Sequence, residues 1–292
     1  MSYSTDLKEH LCEIKEKSNC CHNAFLYGVY ASSMKDGKML LATENIADDI
    51  ITRLKEIHDI SSKKEKKTKK CAVVPENVKK LGAEYGEPCS GLKMSVAKCE
   101  NCLNAFVRGI FVGCGTMNDP TGDNHLELVI DGVLADELLE LLSDEAIFLK
   151  KSERKGKTFL YCKSGDVIQD MLTYLGDMKY SLEMIQSRVT KEQLQYASRY
   201  RNFEFANLSK ATMSGQSQVD AINLLEKKGM LRRLSPELIE TARLRLENPE
   251  ATLDELRQIS GAAISKSGLN HRLKRLVEEA EALKTKEVKI SE

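Results

Sequence analysis

Between Ser265 and Leu276 the chain carries Lys266, Arg272, Lys274 and Arg275 and no carboxylate, and acids return only at Glu278. Ser265, Ser267, Asn270 and His271 are interleaved with these cations. Ammonium and guanidinium groups neutralise phosphates, whereas hydroxyl, amide and imidazole groups hydrogen-bond the edges of bases. Together at the start of one helix, this set suits double-stranded DNA. A solvated face on a protein–protein module gives no reason for acids to be missing over this stretch alone.

Three other clusters have the right residue types for chemistry. Cys20-Cys21-His22 and Cys99-Glu100-Asn101-Cys102 offer four thiols and an imidazole, a zinc-binding set if they converge. Their spacings differ, however, and free cysteine is a common small buried residue. The reading is therefore packing near two helix starts, with no metal and no cofactor. The run Lys63–Lys70 holds six lysines and one acid, and reads equally as a phosphate-tracking loop or a solvated hairpin tip. Gly156-Lys157-Thr158 ends like a phosphate-binding loop, but Lys151 stands where that loop needs its first glycine.

The basic set must be displayed by a helix, and capping signals outline one. Ser235-Pro236-Glu237 opens a helix with Ser as N-cap and Pro in the first turn, and Asn248-Pro249 closes it. Thr252-Leu253-Asp254-Glu255 is a capping box for a short helix. After a turn at Gly261-Ala262-Ala263-Ile264, Ser265 caps a third helix with the stripe Leu269, Leu273, Leu276, Val277 and Ala280. A short helix, a turn with glycine and a second helix make a helix-turn-helix over about 252–284.

Upstream lies an internal repeat. Cys21-His22-Asn23-Ala24-Phe25-Leu26-Tyr27-Gly28 recurs 81 residues later as Cys102-Leu103-Asn104-Ala105-Phe106-Val107-Arg108-Gly109, identical at five of eight positions. In the second copy, Leu126–Ile130 alternates as a strand. Val133–Leu142 follows as a helix, Ile147–Lys150 and Thr158–Cys162 as strands, and Asp166–Leu175 as a helix. In the first copy, Met39–Thr43, Cys71–Val74 and Leu92–Val96 read as strands and Ile46–Ile57 as a helix. Gly28 and Gly109 fall at matching points inside apolar helices. Each costs ~1 kcal/mol relative to Ala, which close approach of two helix backbones would offset.

Two such helices beneath two small sheets describe the LAGLIDADG homing-endonuclease fold, and Leu26–Met34 and Val107–Gly115 resemble that family's nine-residue motif. The resemblance implies a metal-holding carboxylate near the end of each motif helix. Aligned on the glycines, those positions hold Ser33 and Cys114, and Asp36 and Asp119 lie further on in unlike loops. Mg²⁺ prefers hard anionic oxygen, so no catalytic residue is expected.

Ser265-Lys266-Ser267-Gly268-Leu269-Asn270-His271-Arg272-Leu273-Lys274 is similar to a signature of the WhiA family of bacterial sporulation and cell-division regulators. Glu247–Leu253 and Glu204–Lys210 resemble the same family. The resemblance spans nearly the whole chain. It implies an α+β LAGLIDADG-like domain followed by an all-α helix-turn-helix domain. It further implies a DNA-binding transcriptional regulator without nuclease activity, linked to sporulation, division or chromosome segregation. Contrasting readings are an interaction protein of the division machinery with incidental DNA binding, and a residual endonuclease.

The expected organisation is an N-terminal helix (1–19) and a repeat domain (20–226, with copies at about 20–98 and 99–178 and trailing helices interrupted near Met213-Ser214-Gly215). A linker (227–234) and the helix-turn-helix domain (235–292) complete it. The chain's 292 residues suit two domains, and 44 cations against 44 acids exclude a wholly basic binder. Residues 1–18 are too charged for a signal peptide, no apolar run spans a membrane, and nine irregularly spaced cysteines suit a reducing compartment. The expected location is therefore cytoplasmic, at the nucleoid. The expected partners are double-stranded DNA and a transcription-machinery or regulatory protein. Lys266, Arg272, Lys274 and Arg275 are expected to hold phosphates, with Ser267, Asn270 and His271 at base edges and Ser265 at the cap.

Overall fold

The computed structural model describes residues 2–66, 70–130, 132–261 and 264–291. It divides into two compact units, 1–192 and 193–292.

In the first unit, α1 (Tyr3–Glu13) is capped by Ser2, whose hydroxyl accepts from the Thr5 N–H. The first repeat then runs α2 (Asn19–Ser33), β1 (Met34–Lys35), β2 (Lys38–Leu41), α3 (Glu44–His58), β3 (Ser62–Lys66), β4 (Cys71–Pro75) and α4 (Val78–Tyr85). The second runs α5 (Cys102–Cys114), β5 (Gly115–Met117), β6 (Leu126–Val129), α6 (Val133–Asp144), β7 (Lys150–Arg154), β8 (Lys157–Cys162) and α7 (Gly165–Tyr174). The two antiparallel sheets have matching orders, β1-β2-β4-β3 and β5-β6-β8-β7. In each, the inner strands carry the alternating apolar residues: Met39 and Leu41 on β2, and Leu126 and Leu128 on β6, are buried.

Several details differ from the sequence reading. The strand expected at Ile147–Lys150 begins only at Lys150 and runs on to Arg154, through residues expected as a polar turn, because β8 supplies its pairing. A short strand, β1 or β5, leaves each long helix directly and is too brief to show a period. Leu92–Val96, expected as a strand, holds a 3₁₀ turn at Met94–Val96. Its place in the sheet is taken by β3, the start of the lysine run, paired along its length with β4. Among the described residues this outer strand pairs with β4, so backbone pairing supports it while Lys63, Lys64, Glu65 and Lys66 are exposed. Lys67, Thr68 and Lys69 lie outside the described residues.

The pseudo-symmetry is tightest where α2 crosses α5. A Cβ built on Gly28 would lie 2.1 Å from the Phe106 carbonyl oxygen and 2.8 Å from the Ile110 nitrogen. On Gly109 it would lie 2.1 Å from the Phe25 oxygen and 2.9 Å from the Val29 nitrogen. These contacts are reciprocal under the 81-residue repeat. Each helix thus rests backbone to backbone on the other, which only glycine permits. Phe25, Val29, Phe106 and Ile110 flank the crossing, fully buried in one core with Ile46, Ile50, Leu134 and Leu138. Arg108, equivalent to Tyr27 of the first repeat, is buried. Its guanidinium pairs with both Glu16 carboxylate oxygens at 2.7 Å and donates to the Leu175 carbonyl at 2.6 Å.

Helix α8 (Met178–Lys227) begins in the first unit and ends in the second. It is unbroken at Met213-Ser214-Gly215, where the sequence suggests an interruption. Gly215 serves a close approach instead, since a Cβ there would lie 2.9 Å from the Pro249 carbonyl oxygen. The second unit continues with α9 (Pro236–Glu247), α10 (Leu253–Ile259) and α11 (Lys266–Ser291). Its core joins Ile222 and Leu225 of α8 to Leu238, Ala242, Leu256, Leu269, Leu273 and Leu276. Residues 227–234 are accordingly not an interdomain linker. Gly229 turns the chain at φ +67°, and Leu231 buries itself in this core. The end of α8 belongs with the last three helices because its apolar residues have their partners there.

Candidate nucleic-acid interface

Local forces fix the orientation of α11. The capping box on α10 forms as read. Thr252 Oγ1 accepts from the Glu255 N–H at 3.3 Å, and Glu255 accepts from the Thr252 N–H at 2.7 Å. That return bond holds the Glu255 carboxyl below the usual carboxylate range. Ser265 Oγ accepts from the Gly268 N–H at 3.1 Å, the expected cap of α11. Leu269, Leu273, Leu276 and Ala280 turn inward. The loop between α9 and α10 is held by Arg245, buried in the unit, which donates to the carbonyls of Asn248, Pro249 and Ala251 at 3.3, 3.3 and 2.7 Å. Ala262 and Ala263 of the expected turn lie outside the described residues.

With the apolar stripe buried, a pitch of about 100° per residue sends Ser267, His271, Lys274 and Arg275 to the far side of α11, with Asn270 beside them. All five are exposed, as are Ser265 and Lys266. Lys266 and Arg272 instead flank the buried stripe and reach back toward the neighbouring helices. Lys266 Nζ lies 2.5 Å from an Asp254 carboxylate oxygen of α10, and Arg272 Nη2 lies 3.6 Å from Glu237 of α9. Lys274 faces Glu278 one turn on at 3.7 Å. Exposed pairs of this kind are worth about 0–1 kcal/mol, so neither pair fixes its lysine firmly. Arg272 is half-buried against α9 and is the basic residue of this set most engaged in packing.

Arg245 and Gly215 were not singled out as structural residues by the sequence. A signal for Arg245 was present: it continues the inward spacing of Leu238 and Ala242, where a cation has no place unless it is bonded.

At the ends of the crossing helices, Ser33 is buried and its hydroxyl donates to the Val29 carbonyl at 2.6 Å. Burial pushes the Cys114 thiol up to about 12, so it stays protonated at neutral pH. Nearby Lys8 is also buried, which pulls its ammonium down to about 8. Asp36 sits in the β1–β2 turn at φ +50°, and Asp119 accepts from the Thr121 N–H within its own loop at 2.8 Å. In contrast to their reading as separate packing residues, Cys20, Cys21, Cys99 and Cys102 come together, with all four Sγ atoms within 4.8 Å of one another.

Comparison with known proteins gives two family matches: the WhiA LAGLIDADG-like domain over residues 103–193 and the WhiA C-terminal HTH domain over residues 197–280. A "Probable cell division protein WhiA" of Clostridium botulinum is 32% identical over 217 residues, which cover 74% of this chain and 67% of the relative. The chain belongs to the WhiA family. A relative of the same name from Lactococcus lactis subsp. cremoris is 39% identical over 198 residues, 67% of this chain, and the match spans 65% of that protein's length. The full-length DUF199/WhiA crystal structure from Thermotoga maritima has the same fold. It matches with a TM-score of 0.59 at 22% identity, covering 97% of this chain and 99% of that one. The α+β LAGLIDADG-like architecture followed by a helical helix-turn-helix region is thus that of the family. The family boundary near residues 193–197 agrees with the division between the two compact units. Among the described residues, no helix is long and apolar enough to cross a membrane.

Proposed function

We propose that this chain is a sequence-specific, double-stranded-DNA-binding transcriptional regulator of the cell-division and sporulation programme, acting in the cytoplasm at the nucleoid without cleaving DNA. The observation that carries the reading is the far face of α11. It presents Ser267, Asn270, His271, Lys274 and Arg275 to solvent on a helix whose start is capped and whose opposite face is buried. Lys266, Lys274 and Arg275 anchor phosphates, Ser267, Asn270 and His271 read base edges, and Arg272 holds α11 against α9. Membership of a family whose curated relatives are named cell-division proteins supports the cellular process. The chemistry of Ser33 and Cys114, a buried hydroxyl and a protonated thiol, supports the absence of nuclease activity, because neither supplies an anionic oxygen for Mg²⁺. A transcription-machinery or regulatory protein remains the expected second partner.

The test is selection from a random duplex pool by the full chain with Mg²⁺ present, followed by binding at several salt concentrations. Enriched, uncut sites are expected. Lys274→Ala/Arg275→Ala should flatten the salt dependence by about two phosphate contacts, roughly 1.8 in the log–log slope. An unchanged slope would remove these residues from the interface, and Mg²⁺-dependent cuts would restore the endonuclease reading. Point substitutions are preferable to truncation at residue 229, which would strip Ile222 and Leu225 of their partners.

A further inference from the structure

The four thiols gathered at the starts of α2 and α5 have no role in the interface above. Cys99 Sγ lies 3.5 Å from Cys21 Sγ, 3.5 Å from Cys102 Sγ and 3.6 Å from Cys20 Sγ. All four sulfurs fall within 4.8 Å of one another. We propose that Cys20, Cys21, Cys99 and Cys102 hold one zinc ion as a structural four-thiolate site joining the two repeats.

The spacing selects this arrangement. With Zn–S near 2.3 Å, a tetrahedron places its sulfurs about 3.8 Å apart. A disulfide needs about 2.05 Å, and it would pair two thiols and leave Cys99 only one of its three near neighbours. An iron–sulfur cluster puts several metal ions and bridging sulfides between its thiolates and needs a wider cage. Soft thiolate donors in a tetrahedral set favour zinc over the hard cations. Four protein ligands complete the shell, which makes the site structural and not catalytic.

The surroundings fit a thiolate-rich centre. Four thiolates on Zn²⁺ leave two net negative charges, and the N-terminal ends of two long helices converge on them: Cys20 and Cys21 lie in the first turn of α2, and Cys102 is the first residue of α5. Ser18 Oγ donates to Cys21 Sγ at 3.2 Å and lies 3.0 Å from Cys20 Sγ, a hydroxyl positioned to orient ligands. Lys17 Nζ donates to Asn101 Oδ1 at 2.9 Å, bracing the same junction between repeats. Cys21 and Cys102 are buried, while Cys99 is exposed and leaves a path for the ion to enter. Binding releases the thiol protons to solvent, with no change of oxidation state.

The experiment uses the full chain purified without chelator. Elemental analysis should find about one zinc per chain. Replacing the zinc with Co²⁺ should give the intense visible absorption of a tetrahedral thiolate complex. Cys99→Ser/Cys102→Ser should lose at least about nine-tenths of the metal, while Cys71→Ser/Cys162→Ser, in strands β4 and β8, should keep it. Because the first variant can misfold, the wild-type chain is also treated with a mercurial that displaces thiolate-bound zinc. One equivalent of zinc should be released, with partial loss of thermal stability. The proposal is overturned by wild-type protein that retains no zinc after incubation with an equivalent and dialysis, or by intact mass showing disulfides among these four cysteines. Equal zinc in the Cys99→Ser/Cys102→Ser variant would overturn it too.

Discussion

Gly28→Ala tests how the two repeats are held together. The added methyl would sit 2.1 Å from the Phe106 carbonyl oxygen. Carbon and carbonyl oxygen do not pack closer than about 3.3 Å, so α2 and α5 must separate by roughly 1 Å. On the order of 40 atom pairs facing each other across such a seam, at ~0.15 kcal/mol each, amount to about 6 kcal/mol, and a 1 Å gap forfeits up to about half. The better helix propensity of alanine returns ~1 kcal/mol. The expected net loss is about 2 kcal/mol. Gly82→Ala is the control: it also lies in a helix, α4, but its Cβ would meet only the Tyr30 hydroxyl at 3.9 Å. It should gain about 0.5–1 kcal/mol. Urea unfolding of the full chain, followed by tyrosine near-UV circular dichroism, isolates the relevant unit. Tyr27, Tyr30 and Tyr85 are buried in the first unit, the second unit's Tyr196 and Tyr200 are exposed, and the chain has no Trp. Gly109→Ala should match Gly28→Ala, and the double variant should cost less than the sum, since one separation accommodates both methyls. A Gly28→Ala protein as stable as wild type would refute backbone-to-backbone packing at the crossing.

Lys8 carries a pH signature. Burial lowers its pKa from 10.5 to about 8, so between those values the unfolded chain binds more protons and this residue makes stability rise with pH. Lys8→Met should therefore stabilise the chain at pH 7 by up to about 3 kcal/mol, an advantage that shrinks by pH 10; a pH-independent difference in urea midpoints would exclude this. Arg108→Met should cost about 3–5 kcal/mol by stranding Glu16, and Arg108→Met/Glu16→Leu should recover much of it in the same assay. Gly215→Ala should destabilise the second unit by about 1–3 kcal/mol by pressing on the Pro249 carbonyl, read as a lowered midpoint of the α-helical far-UV signal in that unit's transition.

The features legible in the sequence were those written in local chemistry. The capping residues Thr252, Glu255 and Ser265 act as read, and of the expected stripe Leu269, Leu273, Leu276 and Ala280 are buried while Val277 is half-buried at its edge. The matched glycines of the repeat lie at the helix crossing. What escaped depends on distant neighbours. Gly215 reads as a break because glycine weakens a helix, and only the approach of Pro249 shows why it is tolerated. The strand β3 hides in a lysine run because β4 supplies its pairing. The four thiols sit at unequal spacings in the two repeats, and helix crossing, not spacing, brings them together.

The outer strands of the two sheets carry a consequence for behaviour in concentrated solution. At one edge each sheet ends in a strand with exposed charge, Lys63–Lys66 on β3 and Lys150, Lys151, Glu153 and Arg154 on β7. At the other it ends in β1 or β5, strands of two and three residues. Free backbone donors at a sheet edge invite strands from other molecules, and charge or brevity is what discourages them. Each sheet uses both devices, one per edge. These sheets are therefore poor templates for strand exchange between copies of the chain.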